Sequence, residues 1–300
     1  MEVHTIDHQF GGKPHCIASF LVESGRELAL IESGPSSTLE NVLDGIRKAG
    51  FDPAEVKKVL VTHVHLDHAG AAGWWASQGA QVYVHPSGAK HLVDPSRLIE
   101  GARMVYGDRL ETLWGEILPI PKEQVTALAD CESIKIGNAT ITAWDTPGHA
   151  YHHHAFVLDD GVVFAGDVAG VRLPGQKFIS PTTAPSQFNP EPYIKSIRRL
   201  REAQFDWLTL THYGSHSDAD DHLARYEEIV TEVAELIGNR LKAGETGQQL
   251  LDAFANWNNA RAEADGANAL TLAQYENANP TPMCVEGVEL FWKKQLAAKD

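Results

Sequence analysis

Lys58-Val59-Leu60-Val61-Thr62-His63-Val64-His65-Leu66-Asp67-His68 is the stretch that decides the fold of this 300-residue chain. A mostly apolar, strand-like segment is followed by three histidines and one aspartate within six residues. Residues two apart in a strand point the same way, so His63 and His65 can bind one metal ion together. The chain turns after them, and Asp67 and His68 can point toward a second ion.

The residue types in this turn indicate which metals it would bind. Imidazole and carboxylate ligands favour zinc, iron or manganese. The absence of a nearby cysteine argues against a closed structural zinc site. Four ligands that diverge from one turn suit two ions better than one. The alternative interpretation is a polar turn with solvated histidines.

Three further strand-like segments deliver a histidine or an aspartate at their carboxyl ends. The segments are residues 139–144, 162–165 and 207–210. The polar residues that follow them are His149, Asp167 and His212. Open α/β sheets carry ligand sites at the carboxyl ends of their strands, so we expect these side chains to complete the set begun at residues 63–68.

This pattern resembles the metallo-β-lactamase superfamily, in its dinuclear hydrolase branch with glyoxalase II, N-acyl-homoserine lactonases and related esterases. The family pattern is H-x-H-x-D-H, then His, Asp and His, and the resemblance covers about residues 1–217. It implies two divalent ions, with zinc as the first choice and iron or manganese as alternatives. The implied ligands of the first ion are His63, His65 and His149. Those of the second are Asp67, His68 and His212, and Asp167 would bridge the two ions.

The resemblance also implies the architecture. We expect an α/β fold, an αββα sandwich of two similar halves, with the metals at the edge where the strand ends meet. Residues 1–217 would form the catalytic domain and residues 218–300 a helical C-terminal region. That region would either cover the sheet and assist a homodimer or wall one side of the substrate pocket. An acidic position that is usually Asp in the family is Glu32 here, which implies a changed outer hydrogen bond rather than a changed ligand.

The implied function is a metal-dependent hydrolase in which a metal-bridging hydroxide attacks a small ester, thioester or lactone. Asp67 and Asp167 are the predicted catalytic residues. A phosphodiesterase or phosphotriesterase is the first alternative. A mononuclear iron persulfide dioxygenase is another, although the presence of both His68 and His212 favours two metals. A non-enzymatic binding module is the third alternative. It is disfavoured because every ligand position of the family pattern is present.

Substrate contacts are predicted at three residues that adjoin the ligands. Arg172 could clamp a carboxylate or phosphate, or form a surface ion pair. His153 could hydrogen-bond a ligand carboxylate or the substrate, or belong to a polar rim. Tyr213 could touch the substrate or pack in the fold. His85 is interpreted as a surface or capping residue.

Composition limits the partners and the location. The formal net charge of -15 disfavours nucleic acid, because binding to phosphates requires a basic face. No apolar run is long enough to span a membrane, so we expect a small-molecule substrate and no membrane partner. The three cysteines are isolated, and the N-terminal residues show no export signal. These features predict a cytoplasmic protein with reduced thiols.

Overall fold

The computed structural model describes residues 1–298 and divides the chain into two compact units. The first unit takes residues 1–145 and 154–165, and the second takes residues 146–153 and the chain from Gly166 onward. Each unit carries one part of the predicted ligand set. His63, His65, Asp67 and His68 belong to the first unit, and His149, Asp167 and His212 belong to the second.

The first unit contains strands β1 to β10 and helices α1 to α6. The strands are β1 (Glu2–Asp7), β2 (Ala18–Ser24), β3 (Glu27–Ile31), β4 (Val56–Leu60), β5 (Gln81–Val84), β6 (Val125–Ala127), β7 (Ser133–Ile136), β8 (Ala139–Asp145), β9 (His154–Leu158) and β10 (Val162–Phe164). The helices are α1 (Leu39–Lys48), α2 (Leu66–Ala69), α3 (Ala72–Ser77), α4 (Pro86–Val93), α5 (Ser96–Tyr106) and α6 (Leu110–Trp114).

The first sheet explains where polar side chains gather in this unit. Its strand order is β1-β2-β3-β4-β5-β6, antiparallel from β1 to β3 and parallel from β3 to β6. Parallel strands end at the same edge of a sheet. Glu32 follows β3, the predicted ligands at residues 63–68 follow β4, and His85 follows β5. These polar residues therefore share one edge.

Strands β7 to β10 pair antiparallel in the order β10-β9-β8-β7 and pack on the first sheet. The packing is visible at Phe20 of β2 and Phe164 of β10, which are buried with ring centroids 5.4 Å apart. Burying aromatic rings of this size contributes much of the stability of such a core. The unit is therefore a two-sheet sandwich, and the predicted α/β fold class is confirmed.

Helices α1, α3 and α4 pack on the first sheet through apolar residues. In α1 the buried residues Val42, Leu43 and Ile46 lie on one side of the helix. The helical stretch that follows the predicted ligands is divided into α2 and α3. The N–H of Ala71 donates to the carbonyl of Gly34 at 2.8 Å instead of continuing a helix.

The second unit contains a strand pair and the C-terminal helices. The elements are α7 (Pro190–Glu202), β11 (Trp207–Leu210), β12 (Gly214–His216), α8 (Ala219–Lys242), α9 (Gln248–Ala264), α10 (Ala269–Ala278) and α11 (Thr281–Ala297). Helix α7 begins where the Asn189 side chain accepts from the N–H of Glu191 and Pro190 occupies the first turn. Its buried residues Tyr193, Ile197 and Leu200 form the packing stripe.

The predicted helical region after residue 217 is present as α8 to α11. These helices pack among themselves, and Trp292 of α11 donates to the carbonyl of Ala234 of α8 at 2.7 Å. Residues 166–217 lie in the same compact unit as these helices. The division at residue 217 therefore stays a prediction. Among residues 1–298 no helix combines the length and apolar character that crossing a membrane requires.

Candidate metal centre

The ligand turn, residues 62–68, follows strand β4 and opens helix α2. His63 and His68 are buried, whereas His65 and Asp67 are partly exposed. Nε2 of His63 and Nδ1 of His65 lie 2.8 Å apart. Nε2 of His68 lies 3.6 Å from a carboxylate oxygen of Asp67. The predicted metal-binding atoms of the turn therefore lie in two pairs, His63 with His65 and Asp67 with His68.

Glu32 orients two of these rings from the end of strand β3. Its Oε1 accepts from the Thr62 hydroxyl at 2.6 Å and from Nδ1 of His68 at 2.8 Å. Because the single hydroxyl proton of Thr62 goes to Glu32, Thr62 Oγ1 accepts from Nδ1 of His63 at 3.0 Å. In their neutral forms His63 and His68 therefore both carry the proton on Nδ1. Their Nε2 lone pairs are left for a metal.

The backbone at Glu32 is strained. Its φ of 62° lies in the left-handed region, which is uncommon for a residue with a side chain. Such strain costs on the order of 1–3 kcal/mol and occurs most often at functional sites. This conformation brings the carboxylate to Thr62 and His68, where Oε2 also accepts from the N–H of Thr62 at 3.1 Å. The sequence indicated an unusual acidic residue here but not this backbone.

In the second unit the predicted ligands converge on Asp167, whose side chain is 7% exposed. One carboxylate oxygen, Oδ2, lies 3.3 Å from Nε2 of His149. The other, Oδ1, lies 3.4 Å from Nε2 of His212. Each oxygen thus faces a different imidazole. A carboxylate in this arrangement can contribute one oxygen to each of two ions.

The orientation of His149 is set by a backbone carbonyl. Its Nδ1 lies 3.0 Å from the carbonyl oxygen of Thr182, which can only accept, so Nδ1 carries a proton. In the neutral form, Nε2 then turns its lone pair toward the carboxylate of Asp167. Two acceptor atoms at this distance repel each other, and a cation between them would make the contact favourable.

These donors fit divalent metal ions. Bonds of about 2.0–2.2 Å in a tetrahedral site place two ligand atoms about 3.3–3.6 Å apart. The separations within each unit of 3.3, 3.4 and 3.6 Å agree with that spacing. Burying several imidazoles and a carboxylate together is costly without a compensating charge. Each set is therefore chemically suited to hold a metal ion.

His153 supports the loop that carries Asp167. It is completely buried, and its Nε2 accepts from the backbone N–H of Asp167 at 3.1 Å. That bond requires the proton on Nδ1, which donates to the Thr146 hydroxyl at 2.8 Å. These two bonds engage the backbone of a predicted ligand rather than its carboxylate. A direct contact between His153 and the substrate stays a prediction.

Arg172 and Tyr213 form hydrogen bonds with other residues of the protein. The Arg172 guanidinium binds both carboxylate oxygens of Asp218 at 2.8 and 2.9 Å, and its side chain is only 13% exposed. The N–H of Arg172 donates to the carbonyl of His212 at 2.8 Å. Tyr213 is buried, and its carbonyl accepts from His216. Arg172 thus braces the His212 loop, and the substrate roles of both residues stay predictions.

A second cluster of two histidines and an aspartate lies in the first unit and was not predicted from the sequence. Nε2 of His85 and Nε2 of His154 lie 3.2 and 2.9 Å from the same oxygen of Asp145. Asp145 and His154 face each other across β8 and β9, while His85 follows β5. One sequence feature pointed to this cluster. His85 directly follows β5, which runs parallel to β4, and so lies at the same edge of the sheet as the predicted ligands.

Hydrogen bonding argues against a metal in this second cluster. Nδ1 of His85 accepts from the N–H of Ser87 at 3.0 Å, which confirms its predicted capping role at the start of α4. The His85 proton must therefore be on Nε2, where it is donated to Asp145. Burial lowers the pKa of His85 and favours the neutral form. The hydrogen bond from His154 holds the pKa of Asp145 below its usual range.

The chain is similar to one protein family and to several individual proteins. The family model described as "Metallo-beta-lactamase superfamily" matches residues 16–231. A metallo-beta-lactamase fold-containing protein from Sulfurisphaera tokodaii, ST1585, is 27% identical over 214 residues, which is 69% of this chain and 77% of that protein. The solved structure of ST1585 has a TM-score of 0.63 over 76% of this chain and 85% of its own, at 24% identity. It shows the same fold.

Two further relatives carry names that state an activity. An atrochrysone carboxyl ACP thioesterase from Aspergillus fumigatus is 26% identical over 186 residues, 61% of this chain and 46% of that protein. An N-acyl homoserine lactonase, AttM, from Agrobacterium fabrum is 30% identical over 120 residues, 40% of this chain and 42% of that protein. The matched segments span less than half of the length of these two proteins.

Proposed function

This chain belongs to the metallo-beta-lactamase superfamily of metal-dependent hydrolases, and on that premise we propose that it is a dinuclear hydrolase of a small ester, thioester or lactone. The observation that carries the proposal is Asp167, whose two oxygens lie 3.3 and 3.4 Å from Nε2 of His149 and of His212. A carboxylate with a separate partner on each oxygen suits a bridge between two ions. The family pattern implies the same role for this position.

The proposed ligands divide between two ions. His63, His65 and His149 would hold the first ion. Asp67, His68 and His212 would hold the second, with Asp167 shared. Zinc is the first choice because imidazole and carboxylate donors suit it, and iron and manganese are alternatives. When bound, such a metal pair lowers the pKa of a coordinated water toward about 7 and polarises the bond under attack.

Side chains of the protein would bind the ions and transfer the protons of the reaction. The side chain of Asp67 is 25% exposed, so its carboxylate can accept a proton from the reacting water and return it to the leaving group. Asp167 is far less exposed, at 7%, which suits a ligand that keeps one position. The proposed reaction requires no side-chain nucleophile.

An apolar cluster next to Asp67 supports a substrate with a hydrocarbon part. Leu66 packs with Leu110 and Trp114, and Phe10 and Tyr106 cover this cluster while remaining partly exposed. Burial and the nearby charge of Asp67 raise the pKa of Tyr106, so its phenol stays neutral. The net charge of -15 disfavours phosphodiesters, the first alternative. The names of the thioesterase and lactonase relatives also favour carbonyl substrates.

The proposed setting is the cytoplasm, with a small-molecule substrate and no nucleic-acid or membrane partner. Support comes from the three cysteines, which are isolated in the sequence, and from the buried positions of Cys16 and Cys284. Burial raises the pKa of Cys16 to about 11, which makes it an inert thiol. A homodimer that uses the C-terminal helices stays a prediction.

Metal analysis combined with a substrate panel tests the proposal. We expect about two ions per chain and turnover of at least one class among esters, thioesters and lactones, assayed with zinc, manganese and iron. One iron per chain with oxygen uptake on a persulfide would support the dioxygenase instead. Faster turnover of phosphodiesters than of any carbonyl ester would support the phosphodiesterase.

A further inference from the structure

Three buried hydroxyl groups meet next to the predicted ligands of the second unit. We call Thr182, Tyr193 and Tyr226 the hydroxyl cluster. Thr182 belongs to the loop between β10 and α7, Tyr193 to α7 and Tyr226 to α8. The three hydroxyl oxygens lie 2.8 to 3.0 Å from one another, and all three residues are buried. The cluster therefore joins the C-terminal helix α8 to the loop that follows Asp167.

The cluster contacts both His149 and Asp167 through the backbone. The carbonyl of Thr182 accepts from Nδ1 of His149 at 3.0 Å. The carbonyl of Asp167 accepts from the hydroxyls of Thr182 and Tyr193, each at 2.6 Å. The orientation of the His149 ring and the backbone position of Asp167 thus depend on the same few hydrogen bonds.

The direction of each proton follows from these partners. Thr182 and Tyr193 both give their hydroxyl protons to the carbonyl of Asp167, because a carbonyl can only accept. The hydroxyl of Tyr226 accepts from the N–H of Thr182 at 3.0 Å. Tyr226 must then donate its own proton to one of the other two hydroxyls. Burial raises the pKa of Tyr226 to about 12, so that proton is present at neutral pH.

The backbone around the cluster leaves space for the Tyr226 ring. Gly170, three residues after Asp167, has a φ of 76°. A Cβ built on Gly170 would lie 2.4 Å from Cε2 of Tyr226, which is closer than real contacts allow. The loop after Asp167 thus lacks a side chain where the ring passes. This close fit fixes the position of the Tyr226 ring and therefore of the hydroxyl that it carries.

We propose that the hydroxyl cluster, with Tyr226 as its member from the C-terminal helices, is a positioning device that holds His149 and Asp167 ready to bind metal. The inference rests on the proposed function, since it assumes that these two residues are ligands. The Tyr226 hydroxyl accepts from the N–H of Thr182, and the carbonyl of Thr182 accepts the Nδ1 proton of His149. Nε2 of His149 thereby faces Asp167, where an ion would bind. The C-terminal region is then part of the metal centre through Tyr226, although Tyr226 itself touches neither ion nor substrate.

Tyr226→Phe tests this role with Tyr275→Phe as a matched control. The hydroxyl of Tyr275 also accepts a backbone N–H, from Leu173 at 3.0 Å, and donates to a carbonyl, of Phe178 at 2.6 Å. It is buried in the same unit but contacts neither His149 nor Asp167. Outer partners of metal ligands typically contribute about 10–100-fold in metal affinity. We expect about 10-fold weaker zinc binding in Tyr226→Phe, measured by competition with a chelator, and wild-type affinity in Tyr275→Phe.

A second readout separates positioning from loss of stability. The absorption spectrum of the cobalt-substituted protein should change in Tyr226→Phe and stay unchanged in Tyr275→Phe. If Tyr226→Phe does not fold, Thr182→Val and Thr182→Ser repeat the test, and only the serine, which keeps the hydroxyl, should retain affinity. Unchanged zinc affinity in Tyr226→Phe or Thr182→Val would overturn the inference while leaving the proposed function intact. A wild-type chain that binds no metal would instead overturn the proposed function.

Discussion

Asp167 and Asp145 each lie between two histidines, yet the two clusters differ in where the protons are. Around Asp167, Nδ1 of His149 donates to a carbonyl, so Nε2 has a lone pair to offer. Around Asp145, Nδ1 of His85 accepts from a backbone N–H, so Nε2 carries the proton. Distances from the carboxylate to the ring nitrogens are similar, at 3.3 and 3.4 Å against 3.2 and 2.9 Å.

The clusters also differ in how each carboxylate is used and solvated. Asp167 presents a different oxygen to each histidine and is 7% exposed. Asp145 presents the same oxygen to both histidines and is 41% exposed, so water can reach it. The first arrangement suits a bridge between cations, and the second is complete as a set of hydrogen bonds. Residue types and spacing alone therefore do not identify a metal site. The hydrogen-bond partner of Nδ1 decides whether Nε2, which faces the carboxylate, carries a proton or can bind a metal.

Replacing the central carboxylate should have a large effect in one cluster and almost none in the other. Asp167→Asn should reduce the metal content from about two ions per chain to one or none. Hydrolysis of the best substrate should then fall by at least about 100-fold, the upper end of what loss of an outer partner costs. Asp145→Asn is the matched control, and we expect it to keep both ions and wild-type turnover. Elemental analysis and steady-state kinetics measure both. Loss of an ion in Asp145→Asn would show that the proton assignment at His85 is wrong.

An intermediate effect is expected at Glu32, which accepts the Nδ1 proton of His68 as Thr182 accepts that of His149. Glu32→Gln keeps one acceptor oxygen but replaces the other with an N–H donor. With the amide oxygen at the Oε1 position, the new N–H group faces the N–H of Thr62. With the amide turned over, it faces the Thr62 hydroxyl and Nδ1 of His68. We expect metal binding to weaken about 10–100-fold in a chelator competition. Glu27→Gln, which removes the charge that pairs with Lys58 at the surface, should bind metal as the wild type does. Equal affinities in the two variants would remove Glu32 from the metal centre.

Much of the fold could be predicted because local pattern and strand direction determine it. The apolar segments predicted as strands before Asp167 and His212 contain β10 and β11, and β4 ends just before Thr62. The helical region predicted from residue 218 begins with α8. Each predicted ligand follows a strand, as the rule for open sheets requires. The break between α2 and α3 could not be predicted, since it depends on the carbonyl of Gly34, which is distant in sequence.

The outer partners of the ligands were beyond sequence reasoning for the same reason. Thr182 lies 33 residues after His149, and Glu32 lies 36 residues before His68. Only the folded chain shows that these partners accept a proton from Nδ1. Asp145 and His154 are likewise brought together by the pairing of β8 with β9. Sequence could therefore predict the ligand types, whereas the proton positions that separate the two clusters follow from tertiary contacts.

The smallest expected effect concerns the stability that Asp145 contributes. Its pKa in the folded chain is lowered, chiefly by the hydrogen bond from His154, relative to an unfolded value of about 3.9. The stability that the carboxylate contributes is therefore fully present above about pH 4 and is lost as the pH falls through the lowered folded pKa. Because the side chain is 41% exposed, we expect the contribution to stay below about 1 kcal/mol. Urea unfolding in the presence of a chelator should show Asp145→Asn less stable than the wild type at pH 6, with the gap closing toward pH 3. A gap that stays constant over this range would mean that the carboxylate charge plays no part, and that the two clusters differ less than their hydrogen bonds indicate.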